Sequence, residues 1–457
     1  MKKTAIWEIE KAVSGELLSG DKNDNICGVS TDSRKISKND VFFALIGEQH
    51  DAHDFITEAI SNGARSIVLS DPEAAPRGAA ANIVKVSDTT KALQDLARWY
   101  VSALGVRNIG ITGSTGKTTT KDMLYHICRE KYNTGKTAGN FNNHIGLPLS
   151  ILSFDEGVEI GVLEMGAECL GEIHLLAGIA RPEIAVITNI GISHIETFGT
   201  RENIFKGKME ITDFFCEKNL LIVNEGSDLL TRRSVSGDYR LTTVGVCGKN
   251  NFILSNVEEF GENGIEFTLE HQEKRQRFKL GVPGRHNAVN ASLAVAAAAE
   301  LGIGMEAAAR GLEKVVLTEK RLNIKGKDGI KVIDDTYNAS PDSMRAAIDV
   351  LIATKGMRKV AVLGDMLGLG EKSGFHHEQI GEYIGQKNID LLLLTGEFTK
   401  HTAAKAREIM GEGKVKHICS RSKLEAEIKK LVSPGDVILV KGSRAMAMEQ
   451  IVRKILE

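Results

Sequence analysis

Short apolar runs separated by helix-period segments recur along most of this chain. Around the first glycine-rich loop, "NIGIT", "EIGVLEM", "EIAVITNI" and "NLLIVNE" have strand length, and helical patterns lie between them. Strands alternating with helices predict a parallel sheet covered on both faces. The alternation returns from about residue 315, where "IKVIDD", "RKVAVLG", "DLLLLTG", "VKHICS" and "DVILVKG" are each followed by a helical pattern. These five runs predict a second doubly wound, Rossmann-like sheet. Residues 252–280 differ: "GIEFTLE" and "KRQRFKL" alternate with a period of two, which predicts an antiparallel flap. The first 85 or so residues mix short strands and helices ("DVFFALIG", "HDFITEAISNGARSIVL", "NIVKV") and include a loop, "SDPEAAPRGAAAN", at 70–82. A helix, "DTTKALQDLARWYVSAL", leads from this block into the next. The expected class is therefore α/β in three domains, 1–86, 87–314 and 315–457.

Composition narrows the function classes. The 457 residues are 42% hydrophobic and 26% charged, ordinary values for a folded chain with sizeable cores. With 58 Lys and Arg against 60 Asp and Glu, the net charge of -2 gives no reason to expect a nucleic-acid partner. None of the six cysteines forms a CxxC pair, which speaks against structural zinc and for reduced thiols. The start, "MKKTAIWEIEKAV", lacks the apolar core of a secretory signal, and the longest apolar candidate, "SLAVAAAA", is far short of a membrane span. A cytoplasmic protein that is not membrane-embedded is expected.

The candidate chemistry begins at "NIGITGSTGKTTTKDML", residues 108–124. A strand-like run enters a loop of Gly113, Ser114, Thr115, Gly116, Lys117, Thr118 and Thr119, and a helix follows. Glycines let the backbone turn tightly and present N–H groups, and a helix N-terminus favours phosphate oxygens. Lys117 can reach β- and γ-phosphates and the Thr118 hydroxyl can ligate Mg²⁺. Glu164 ends the next strand, where a carboxylate can serve the metal; His194 and Lys208 follow the strand after that. A phosphate loop alone suits a switch, a motor, a kinase or a ligase. A guanine-nucleotide switch needs an NKxD-type base reader, which the sequence lacks.

Taken together, "TGSTGKTTT", "AGNFNNHIGLPLS", "LEMGA", "TNIGISHIETFGT…KGKMEI", "GRHNAVNASLAVAAA", "DDTYNASPDSMRAAI", "VLGDMLGLG" and "KGSRAMAMEQIV" resemble the Mur ligase family along the whole chain. These are the ATP-dependent amide-forming enzymes of cell-wall precursor synthesis. The resemblance implies an N-terminal domain that grips a UDP end, a central P-loop ATPase domain and a C-terminal domain that completes the site. "DDTYNASPDSM", "GDM" and "KGSR" are most similar to the branch that joins D-alanyl-D-alanine to UDP-MurNAc-tripeptide, giving the pentapeptide precursor of peptidoglycan. Folylpolyglutamate-type ligases lack the UDP grip, for which "STDSRK" argues here.

The resemblance also implies roles. Ser33 and Arg34 would touch the UDP moiety. Lys117 would hold the β/γ phosphates, Thr118 and Glu164 a first Mg²⁺, and His194 a second; Lys208 would carry a CO₂-derived carbamate. Asn142 and Asn143 would lie near substrate and phosphates, and Asn287 and Asn290 near the adenine, although Asn287 would serve equally as a helix cap. Arg321 would reach the γ-phosphate, Asp335 the ribose, and Tyr337 and Asn338 would flank the nucleotide. Asp365, Met366, Lys441, Ser443 and Arg444 would face the same cleft, where the dipeptide carboxylate binds. Lys117, His194, Lys208 and Arg321 are the expected catalytic set, and its retention speaks against a non-catalytic scaffold. Gly368 and Lys320 depart from the family pattern. Hinges are expected near 85 and over 312–320, with closure excluding water, and a monomer is expected.

Overall fold

The computed structural model describes residues 1–318 and 320–457. Its largest sheet has nine strands, in the order Lys274–Leu280, Ile265–His271, Phe252–Glu259, Arg240–Gly245, Leu220–Asn224, Ile184–Ile187, Arg107–Thr112, Ile160–Glu164 and Thr134–Lys136. The strands from Arg240–Gly245 to Thr134–Lys136 run parallel. Arg107–Thr112 lies between Ile160–Glu164 and Ile184–Ile187, so the chain leaves it to one side and later returns on the other. That is the switch point of a doubly wound sheet, and ligands bind in the crevice beyond the carboxyl ends of strands at such a point.

Residues 252–280 hold the expected antiparallel strands, and they extend the large sheet. Phe252–Glu259 joins the sheet through parallel pairing with Arg240–Gly245, and two antiparallel strands continue it. The reason lies in the alternation itself. One face carries Phe252, Leu254, Phe267, Leu269, Phe278 and Leu280, all buried in the cluster that also takes the helices His286–Glu300 and Met305–Glu313. A free flap would expose that face.

The C-terminal sheet holds the five expected parallel strands, Ile330–Asp335, Asp436–Lys441, Arg358–Gly364, Leu391–Thr395 and Val415–Ile418. A sixth strand, Asn323–Lys327, pairs antiparallel at its edge. Its sequence, NIKGK, is mostly solvent-facing and has too few apolar residues to register as a strand. A five-stranded sheet and a two-stranded one make up the N-terminal part. Together the three parts form an α/β molecule.

The first two parts share one apolar cluster. It runs from Ile6, Val41, Phe43 and Val84 through Leu93, Leu96 and Tyr100 to Leu147, Ile151, Ile179 and Leu221. The shared element is the helix Thr89–Leu104, started by Asp88, whose carboxylate accepts from the N–H groups of Thr90 and Lys91, and ended by Gly105 at φ 68°. The buried Tyr100 hydroxyl accepts from the N–H of Lys2 at 2.7 Å and donates to the carbonyl of Phe154 at 2.7 Å. The hinge expected near residue 85 lies beside this shared core, part of which any movement there would have to open. Of the other expected hinge, 312–320, residue 319 lies outside the described residues.

Tyr100→Phe keeps the ring and strands a buried carbonyl. It should cost about 1–3 kcal/mol of stability, measured by urea unfolding, with little change in turnover.

Candidate active site

The phosphate loop is held open from the side. Gly113 sits at φ 142°, and a Cβ there would stand 2.0 Å from the Thr188 hydroxyl. Gly116 sits at φ 79°, with Asn290 packed where its Cβ would be. Thr188 and Asn189, just past the strand Ile184–Ile187, grip the loop between these glycines. The Thr188 hydroxyl donates to the Thr115 carbonyl at 2.5 Å. Asn189 Oδ1 accepts from the Thr115 N–H at 2.9 Å, and its Nδ2 donates to Thr115 Oγ1 at 2.8 Å. The Asn189 carbonyl accepts from the Ser114 N–H, and Ser114 Oγ accepts from the N–H of Gly191. Lys117 folds back so that its Nζ donates to the Gly113 carbonyl at 2.8 Å. Burial lowers the Lys117 pKa, with Glu164 opposing.

Two oxygens near this loop lack hydrogen-bond partners among the described residues. Thr118 Oγ1 is buried and unpaired, and so is Glu164 Oε2, whose companion Oε1 accepts from Asn142 at 2.8 Å. Glu164 is buried at its strand end, and Lys121 Nζ stands 3.6 Å from Oε2. Two hard, unsatisfied oxygen donors suit a small divalent cation. Asn143 has a different duty: its side-chain oxygen accepts from the N–H of Gly146 at 2.8 Å, at the start of the helix Gly146–Leu152.

Further along, His194 lines the cleft; Lys208 is not among the lining residues but touches one of them, Ala167. Lys208 is only 3% exposed; its Nζ donates to the Ala167 carbonyl at 3.2 Å and lies 5.4 Å from the centre of the Phe198 ring. Burial, helped by the nearby Lys117 charge, lowers its pKa to about 7. Its amine is therefore substantially neutral near neutral pH, where an ordinary lysine is almost wholly protonated. His194 has left-handed backbone, φ 60°, and its pKa is lowered by burial and by Lys117. Such strain in a residue other than glycine persists where the surroundings hold it.

The third domain closes the cleft, whose volume is about 1030 Å³. Arg321 lies with Cζ 4.2 Å from the Tyr337 ring centre, and its buried Nε has no hydrogen-bond partner among the described residues. Asp335, Asn338 and Arg444 also line the space. Asp335 accepts from Lys441 Nζ at 2.5 Å and from the Leu322 N–H at 3.2 Å. Lys441 also donates to the Asn338 carbonyl, so its buried ammonium braces these residues instead of standing free for a dipeptide. Arg444 is 59% exposed and donates to Glu449 at 2.9 Å.

Several expected site residues do not line this cleft. Asp365 is buried and caps another helix: its carboxylate accepts from the N–H groups of Glu397, Phe398 and Thr399. Met366 is buried, its N–H donating to His377 Nε2 at 3.0 Å, and Ser443 Oγ accepts from Leu367 N–H. These three shape the wall from behind. Asn287 donates to the Pro283 carbonyl and accepts from Asn290, so it steadies the helix start, and it is not among the residues lining the cleft. Ser33 and Arg34 lie in the N-terminal part. Ser33 Oγ donates to Glu58 at 2.7 Å; the 78% exposed Arg34 makes a forked pair with Asp32, lowering the Asp32 pKa to about 2.

Family models match three stretches: the Mur ligase family catalytic domain at 25–100, the Mur ligase middle domain at 111–298 and the Mur ligase glutamate ligase domain at 320–444. Over its full length the chain is 39% identical to UDP-N-acetylmuramoyl-tripeptide–D-alanyl-D-alanine ligase of Bacillus subtilis, covering 99% of that protein. The Escherichia coli protein of the same name is 34% identical, with 98% of each chain covered. The chain belongs to the Mur ligase family. Its structure is similar to that of MurF from Acinetobacter baumannii, with a TM-score of 0.90, 30% identity and 100% and 99% of the two chains covered. It is also similar to MurF ligase from Thermotoga maritima in complex with ADP, with a TM-score of 0.80, 32% identity and 94% and 96% covered.

In this Mur ligase, Thr188 and Asn189 are the site residues that sequence reasoning passed over. They lie within "TNIGISH", but a Thr-Asn pair after a strand has no chemistry of its own, and only the fold brings it onto the loop. Lys121 was likewise hidden, as one more polar residue on a helix.

Gly113→Ala places a methyl against Thr188 and forces the loop to move. ADP binding, followed by titration calorimetry, should weaken by about tenfold or more, a shift of roughly 1.4 kcal/mol.

Proposed function

We propose that this Mur ligase joins D-alanyl-D-alanine to UDP-N-acetylmuramoyl-tripeptide with consumption of ATP, giving the UDP-MurNAc-pentapeptide precursor of peptidoglycan. The observation that carries the reading is the single cleft in which a phosphate loop, two hard oxygens and an arginine Nε from the facing domain converge, all without hydrogen-bond partners among the described residues save the loop. Full-length similarity to ligases of that name supports the substrates.

The chemistry follows from a poor leaving group. A carboxylate resists amine attack because its departing oxygen is too basic. Transfer of the γ-phosphoryl group makes an acyl phosphate; the amine then forms the C–N bond, the C–O bond breaks and inorganic phosphate leaves. Loop N–H groups and Lys117 hold the β- and γ-phosphates, and Arg321 offers its guanidinium to the γ-phosphate as charge builds there. Asp335 and Tyr337 take the ribose and base side. Asn142 orients Glu164. Arg444, at the mouth and only loosely engaged, takes the dipeptide carboxylate. Arg34 is exposed enough to leave Asp32 for a diphosphate.

Magnesium fits the residues present: Thr118 Oγ1 and Glu164 Oε2 would hold one ion, which when bound neutralises phosphate charge. His194 and Lys208 would serve a second only if Lys208 changes its charge, since an ammonium repels a cation. The neutral Lys208 amine can attack CO₂, forming a C–N bond and releasing one proton to solvent, and the resulting carbamate is anionic.

The deciding experiment measures ADP and phosphate release with UDP-MurNAc-tripeptide and ATP, comparing D-alanyl-D-alanine with single amino acids. Release should require the dipeptide; equal release with a single amino acid overturns the assignment. Lys208→Ala should lower turnover by about 100-fold or more while keeping the fold, with partial recovery on adding small carboxylic acids. Near-normal turnover of that variant would remove the carbamate.

A further inference from the structure

Beneath the phosphate loop, buried charges run from the Glu164 carboxylate to the linker that enters the third domain. Lys121 is fully buried on the helix Lys117–Cys128; its Nζ donates to the Gly139 carbonyl at 2.8 Å and lies 3.6 Å from Glu164 Oε2 and 3.9 Å from Asp122 Oδ1. Asp122 is buried as well. Its Oδ1 accepts from Lys136 Nζ at 2.7 Å, and its Oδ2 accepts from both the N–H and the hydroxyl of Thr318, each at 2.8 Å. Thr318 is flanked by cleft residues, Leu317 before it and Arg321 and Leu322 after it. A buried carboxylate that spends one oxygen on a linker residue 196 positions away does more than complete its own helix.

We propose that Asp122 and Thr318 form a latch that sets where Leu317 and Arg321 stand in the cleft, making both positioning residues for phosphoryl transfer. The latch rests on the reading of the site as a phosphoryl-transferring ligase. Lys136 holds one Asp122 oxygen and so leaves the other for Thr318, and Lys121 stands between Asp122 and Glu164. Neither Asp122 nor Thr318 is among the residues lining the cleft, so each acts through the chain it anchors.

The test compares Thr318→Val, which removes the hydroxyl at nearly constant volume, with Thr318→Ser, which keeps it, and with Asp122→Asn. In ligation assays Thr318→Val should lower kcat by about fivefold or more with the KM for ATP changed less than about twofold, and Thr318→Ser should stay within about twofold of the parent. Hydrogen exchange of a peptide spanning 315–322 should quicken in Thr318→Val and Asp122→Asn without a matching fall in unfolding temperature. Unchanged kcat and exchange in Thr318→Val overturns the latch, as does a Thr318→Ser variant as impaired as the valine. If Asp122→Asn does not fold, the two Thr318 variants still decide. If the parent enzyme forms no peptide bond, the functional reading fails, and the exchange data alone judge the latch.

Discussion

A loop of backbone N–H groups binds phosphate only if something stops it from closing on itself. Here that task falls to the end of the neighbouring strand, where Thr188 and Asn189 satisfy the polar atoms of Thr115 that would otherwise turn inward. The register between Arg107–Thr112 and Ile184–Ile187 makes this possible, since Thr112 pairs with Ile187 and the next residues of both strands meet above the sheet. A slip of one residue would turn the two side chains away. Glu164 rises from the strand on the other side, so the loop, its brace and the acidic group share one sheet edge.

Charge is then arranged around that edge with little solvent to screen it. Lys117 and Arg321 bring positive charge to a cleft meant for a triphosphate, Lys208 lies buried next to the cleft residue Ala167, and Glu164 is a buried carboxylate of the lining. Burial is the main reason the pKa values of Lys117 and Lys208 are both lowered, and neighbouring positive charge, that of Arg321 for Lys117 and of Lys117 for Lys208, adds to it. An anionic nucleotide arriving in the cleft would offset part of that positive charge.

Much of this was legible in the chain. The glycine-rich loop, the strand that ends in Glu164 and the five C-terminal strands are local patterns, and local patterns survive folding. What escaped has physical causes. Asp365 sits in a motif that suggested substrate contact, yet its carboxylate faces three backbone N–H groups, and nothing in the order of residues reveals a side chain's direction. Lys441 looked like a free cation until Asp335, 106 positions away, came to meet it. The strand Asn323–Lys327 is polar because it lies at an exposed edge, and Phe252–Glu259 joined the main sheet because its apolar face needed cover.

The apolar cluster that spans the first two parts has a consequence for handling the protein in pieces. Truncation after residue 86 would leave Val41, Phe43, Val68 and Val84 facing water on one fragment and strip the helix Thr89–Leu104 of its packing on the other. Neither fragment would be soluble for long. The first two parts therefore stand or fall together, whereas the third is built around apolar clusters of its own.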